Sequence, residues 1–318
     1  MNFLLSFLGV FLFMVAFLAL FAVFIGKRVA RTLPPAGEWM DVDGERINYR
    51  SLGEGPPIVL VHGLGGQRRN FDYLPLKEMA QNQRLLLIDR PGSGHSPRRD
   101  DGKAGIAAQG RLVAGFIRGM GFAQKPLLVG HSLGGAIALA VALHEPECIA
   151  GVALIAPLTH FTREVPGPFR ALEIETPWIR RLFAIVLAVP GAILGSRAAL
   201  AALFGPDKDP RDFPVRGGGL LSLRPGAFYG ASTDMAAVEQ DLPAQQERYG
   251  EIRLPVHILY GEGDRILDWK AQGETLARKV PHAQLKVIPG GHMIPVTRSA
   301  ETAAWLEQVV VDVLGPGR

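Results

Sequence analysis

The strongest hydrophobic pattern lies at the amino terminus. Residues 1–26 carry no charged side chain, and from Phe3 to Ile25 only Ser6 and Gly9 interrupt a run of Phe, Leu, Val, Ala, Met and Ile. About 20 such residues in a helix, rising ~1.5 Å each, cross the hydrocarbon core of a bilayer, so a transmembrane anchor is expected over 1–26. A cleaved signal peptide fits less well, because its apolar region is usually ~7–15 residues, follows a basic residue and precedes a small-residue cleavage site. Lys27, Arg28 and Arg31 flank the run on its carboxyl side, and only the α-amine precedes it. The positive-inside tendency then places the rest of the chain on the cytoplasmic face.

After the anchor, residues 27–37 read as a linker, with Pro34 and Pro35 stiffening Thr32–Gly37. Trp39–Val42 and Ile47–Ser51 flank Asp43-Gly44, a turn pair that favours a hairpin. Ile58–Val61, Leu85–Ile88, Leu127–Val129, Val152–Ile155, Val256–Tyr260 and Leu285–Ile288 are short, continuous, β-branched or Leu-rich runs. Strands apolar on both faces belong to a parallel sheet covered by helices. Helical spacing in Gly134–His144 and Thr297–Val313 supplies such covers. The fold class is therefore α/β, with an antiparallel hairpin at one edge. From Leu158 to Thr233 the strand pattern stops, and helical stretches broken by Pro and Gly take over. This predicts a helical cap over 158–233, dividing the core into 38–157 and 234–318.

Composition narrows the function classes. At 318 residues, 48% hydrophobic and 20% charged, the chain is globular. Its one cysteine, Cys148, excludes a disulfide scaffold. A net charge of +4 with scattered Lys and Arg, and no basic tract among aromatics, argues against nucleic acid as a partner.

Gly130-His131-Ser132-Leu133-Gly134 follows one predicted strand and opens a helical stretch. Ser132 is thereby set on a tight strand-to-helix turn, with glycines where side chains would clash. A serine hydroxyl is a weak nucleophile without a base oriented by a third group. His292, in Gly290-Gly291-His292, lies just past the strand Leu285–Ile288, and Asp264, in Gly261-Glu262-Gly263-Asp264, just past Val256–Tyr260. All three stand at carboxyl ends of strands, where open α/β sheets place their sites. Asp268, four residues further on, is the rival acid. His62-Gly63-Leu64-Gly65-Gly66 follows Ile58–Val61, and the backbone N–H groups of Leu64 and Leu133 are candidates to receive a developing oxyanion.

On His62-Gly63, Asp89-Arg90-Pro91-Gly92-Ser93-Gly94-His95-Ser96, Gly130–Gly135, Asp264 and His292, the chain resembles the α/β-hydrolase superfamily over residues 38–318. The resemblance implies an eight-stranded sheet, a Ser132–Asp264–His292 triad and a cap at 158–233. Serine at the elbow speaks against haloalkane dehalogenases and epoxide hydrolases of this fold, which use aspartate there. His131 and His62 read as packing and loop-supporting residues, and His95 as part of a surface loop. His144, His160, His257 and His282 show no metal-ligand spacing. Gly53-Glu54-Gly55 and Gly217–Gly219 read as turns rather than phosphate loops. Leu182–Leu194 has no polar side chain but is too short and broken to span a bilayer. It is either a helix packed on the core or an apolar wall near a lipid surface, with Arg180, Arg181 and Arg197 beside it.

The expectation is a membrane-anchored serine hydrolase that cleaves carboxylic esters, lipid-like or otherwise apolar, and needs no metal or organic cofactor. Two alternatives share the fold: cleavage of a carbon–carbon bond beside a ketone, or cofactor-free peroxide chemistry, with the same triad; and a binding module without catalysis.

Overall fold

The computed structural model describes residues 2–315. The described residues form one eight-stranded sheet: β1 Glu38–Val42, β2 Glu45–Leu52, β3 Pro57–Val61, β4 Arg84–Ile88, β5 Leu127–His131, β6 Gly151–Ile155, β7 Val256–Gly261 and β8 Gln284–Ile288. Their order is β1-β2-β4-β3-β5-β6-β7-β8. β1 and β2 pair antiparallel, as does β2 with β4, and every pair from β4 to β8 is parallel. Each of the six runs is a strand, and helices cover the mostly parallel sheet as the α/β class predicts.

Side-chain alternation on the central strands divides the core. Val59, Val61 and Leu86 face one layer with Phe116 and Ile137, whereas Ile58, Leu60, Leu85 and Leu87 face another with Trp305 and Leu306. The first layer is built on α3 Ile106–Gly119 and α4 Leu133–His144, the second on α10 Ser299–Leu314. The other helices are α1 Asn2–Thr32, α2 Leu76–Met79, α5 Pro177–Val186, α6 Ala188–Phe204, α7 Pro225–Gln245, α8 Thr275–Lys279 and α9 Ile294–Thr297. Leu60 and its neighbours on β3 are wholly buried, each contributing roughly 1.5–3 kcal/mol of transfer free energy. β8, at the sheet edge, is only partly covered.

Two boundaries differ from the sequence reading. The first helix does not stop at residue 26 but runs to Thr32, through half of the expected linker. Val29 and Leu33 are buried against Leu221, so packing continues the helix until Pro34 and Pro35 end it. The strand-free insertion after β6 comprises a 3-10 turn at Gly167–Leu172, α5, α6, a second turn at Gly219–Leu223, and α7. Its last helix passes residue 233 without a break and reaches Gln245, with Asp234, Met235, Val238 and Leu242 buried along the part beyond that residue.

Candidate active site

Ser132 occupies the step from β5 into α4 with φ 55° and ψ −121°. A left-handed φ at a non-glycine residue is strained and persists only when its surroundings impose it. Here the Ser132 N–H donates to the Ile155 carbonyl at 3.0 Å, and the Ser132 carbonyl accepts from Gly135 at 2.8 Å and Leu158 at 2.9 Å. Gly134 makes the tight turn possible: a Cβ there would lie 2.2 Å from the Val61 carbonyl oxygen.

The two partners predicted for Ser132 meet each other. His292 Nδ1 and Asp264 Oδ2 are 2.8 Å apart, and their side chains are 2% and 0% exposed. The other Asp264 oxygen accepts from the backbone N–H groups of Ile266 at 2.8 Å and Leu267 at 2.9 Å. The carboxylate is thus held at both ends, and its Nδ1 contact leaves the Nε2 edge of His292 free to exchange a proton. Asp268 does other work, accepting from Ala271 N–H at 2.7 Å at the start of the next helical turn.

His131 links the serine turn to the His292 loop. Its Nε2 donates to the His292 carbonyl at 3.1 Å, with ring centroids 5.0 Å apart. Burial, reinforced by the His292 ring, pushes its pKa down to about 3, so the ring stays neutral with its one proton committed to that bond.

A buried network that the sequence reading missed secures the His62–Gly66 loop. His62 Nδ1 donates to the Gly63 carbonyl at 2.8 Å, and its Nε2 accepts from Arg90 N–H at 3.0 Å. Burial and then the Arg90 guanidinium hold His62 well below the usual histidine range. That guanidinium also donates to the carbonyls of His62 at 3.1 Å and Gly63 at 2.8 Å, to Gln109 at 2.6 Å, and to Asp234 Oδ2 at 2.7 Å. Asp234 belongs to α7 of the insertion, and its second oxygen accepts from Arg98. On the other side, Asp207, just past α6, accepts from Gly291 N–H at 3.3 Å, Thr297 at 2.8 Å and Arg298 at 2.7 Å. Two carboxylates of the insertion therefore brace the two loops that flank Ser132. Neither has a sequence signal: their partners lie 84 to 144 residues away.

Ser132, Leu64 and Leu133 open into one cavity of about 80 Å³. Its walls are mostly apolar, lined by Leu158, Phe161, Val165, Phe169, Met235, Val238, Leu242, Ile266 and Leu267, with Thr162, Glu164 and Glu239 among them. Leu133 opens α4, so its N–H is one of the helix's free first-turn donors. His95 is half-buried rather than on an open loop, its backbone N–H donating to Asp89 at 2.8 Å. His160 packs edge-on to Tyr249, and burial lowers its pKa to about 4. Among the described residues no three His, Cys, Asp or Glu side chains converge as a metal site.

The chain is 23% identical over 267 residues to mouse monoacylglycerol lipase ABHD6, covering 82% of this chain and 76% of that protein. It is 35% identical over 124 residues to the dihydrolipoyllysine-residue acetyltransferase component of the acetoin cleaving system of Cupriavidus necator. That match takes in 39% of this chain and spans only 32% of the relative's length. The crystal structure of a membrane phospholipase A, described as a bacterial virulence factor, superposes with a TM-score of 0.70 at 20% identity, over 99% of this chain and 100% of that one. The family model for the alpha/beta hydrolase fold matches residues 56–299, and the chain belongs to that family.

Proposed function

We propose that the protein is a membrane-anchored serine hydrolase that cleaves carboxylic esters of apolar acyl groups. The observation that carries this reading is the held Asp264–His292 pair beside a Ser132 turn that opens into an apolar cavity. His292 Nε2 takes the Ser132 proton as Oγ attacks the acyl carbon, and Asp264 keeps the imidazole in the needed tautomer and stabilises its charge. The N–H groups of Leu64 and Leu133 receive the oxyanion, each such donor worth about 3 kcal/mol in the transition state. The proton then passes to the leaving alcohol, and water, deprotonated by the same imidazole, releases the acid and regenerates the serine hydroxyl.

The apolar acyl preference draws support from the cavity lining and from the likeness to a monoacylglycerol lipase and a membrane phospholipase A. Anchoring draws on the first helix, whose residues 3–32 are long and apolar enough to span a bilayer. The exposed Lys27, Arg28 and Arg31 favour a catalytic domain on the cytoplasmic side. The test is a panel of monoacylglycerols, short soluble esters and ketone-adjacent carbon–carbon substrates, run with the full chain in vesicles. Faster turnover of the long-chain esters, lost in Ser132→Ala, is expected. Equal turnover of short esters would remove the lipid preference, and faster carbon–carbon cleavage would replace the reading.

A further inference from the structure

The first helix is not a free stalk. Residues Phe3–Met14 are exposed all round, but Ala22 is fully buried and Val15, Leu18 and Ala19 are partly covered. The elements packed against α1 are α5, α6, the turn at Gly219–Leu223 and α7, all of the insertion. The freely projecting part, about twelve residues, is therefore only ~18 Å long at ~1.5 Å per residue. The hydrocarbon core is ~30 Å thick, so a spanning α1 must also bring its Val15–Phe24 segment below the membrane surface. What packs on that segment goes with it.

The insertion is built for such a place. α5 and α6, which meet at a 74° bend, are together as apolar as a membrane span. Trp178, Leu182 and Ile185 form a stripe along the uncovered side of α5, and Leu194 on α6 is 87% exposed. Between Pro177 and Phe204 there is no acidic side chain; Arg180 is buried and hydrogen-bonded, leaving Arg181 and Arg197 as exposed cations. Contiguous exposed apolar surface of this kind marks an interaction site, and an adjoining membrane helix identifies the occupant.

We infer that the α5–α6 face is a second membrane-contacting surface, immersed in the acyl-chain region of the leaflet nearest the catalytic domain, beside α1. The inference rests on the anchored reading above and deepens it, because the cavity wall packs on one of these two helices. Phe169 lines the cavity from the turn Gly167–Leu172, and that turn packs against α6. An ester lipid in the leaflet thus has one layer of protein to cross before reaching Ser132, without first leaving for water.

The experiment is depth-dependent quenching in the full chain, in a Cys148→Ser background. Leu194→Cys, Leu182→Cys, Phe17→Cys and Val311→Cys each receive an environment-sensitive fluorophore. Each is reconstituted into phosphatidylcholine–phosphatidylglycerol vesicles with or without doxyl-labelled acyl chains. Loss of emission at positions 194 and 182 matching that at 17, with none at the exposed core position 311, is the expected result. Quenching at 17 alone would overturn the immersed face and leave the anchor standing. Quenching at none of the four would overturn the anchor and the inference together, whatever esterase activity remained.

Discussion

The Asp234 carboxylate, carried by the insertion, and the Arg90 guanidinium, carried by the core, lie 2.7 Å apart with 0% and 1% of their side chains exposed. The same guanidinium holds the carbonyls of His62 and Gly63. The pair therefore couples the position of α7 to the His62–Gly66 loop, which we propose receives the oxyanion. Asp234→Ala leaves Arg90 and Arg98 as buried cations without their partner, which typically costs 3–5 kcal/mol, or about that range here. Chemical denaturation measures this. Asp234→Glu, which keeps the charge, should recover most of the stability and of kcat, whereas Asp234→Asn should recover neither fully.

Asp264 and Asp268 compete for one role, and only Asp264 reaches His292. Asp264→Asn should keep the fold but favour the wrong imidazole tautomer, lowering kcat by about 10³–10⁴-fold. Asp268→Asn removes only a turn contact and should leave kcat within about a factor of two, a change of under 0.5 kcal/mol. Steady-state kinetics on both variants decides the assignment; equal losses would contradict it.

Gly63 is where the His62–Gly66 loop meets Ser132. A Cβ at this position would stand 2.8 Å from Ser132 Cβ and 3.3 Å from its Oγ. Gly63→Ala must push one of them aside, and a displacement approaching 1 Å at a reacting group costs about 10²-fold in rate. The expected signature is a fall in kcat larger than any change in KM, with the unfolding midpoint little altered.

His131 makes acid stability measurable. Its folded pKa of about 3 lies below the ~6.5 of an unfolded histidine. Between those values the unfolded chain binds the proton and the folded chain does not. Stability present above pH 6.5 is thus lost as pH falls toward 3, by at most ~1.4 kcal/mol per pH unit. His131→Asn lacks this dependence, so its destabilisation relative to wild type should be about 2 kcal/mol smaller at pH 5 than at pH 7. A difference that does not change with pH would contradict the buried neutral ring.

The strands were legible because the central ones are apolar on both faces and bounded by Gly, Pro or Asp, a local pattern that survives without tertiary information. Ser132, Asp264 and His292 stood out as candidates for a related reason: each stands at or just past the carboxyl end of a strand, two of them central and His292 after the edge strand β8. The end of α1 was not, because Val29 and Leu33 gain their burial from Leu221, nearly two hundred residues on. Nor were Arg90, Asp207 and Asp234 as site supports. A charged residue in a loop or helix reads as solvated surface, and only the folded chain shows Asp234 sealed between two arginines. His95 misled similarly: its glycine-rich turn suggested a surface, yet the buried Asp89 draws its backbone inward.

The central claim is that Ser132 is the nucleophile, activated by His292. The most direct measurement is capture of a fluorophosphonate by the folded, full-length protein, with the labelled peptide located by mass spectrometry. A single adduct on Ser132, absent from Ser132→Ala and strongly slowed in His292→Ala, is the predicted result. Ester-hydrolysing protein that takes up no label at Ser132, or takes it up on another residue, would contradict the account.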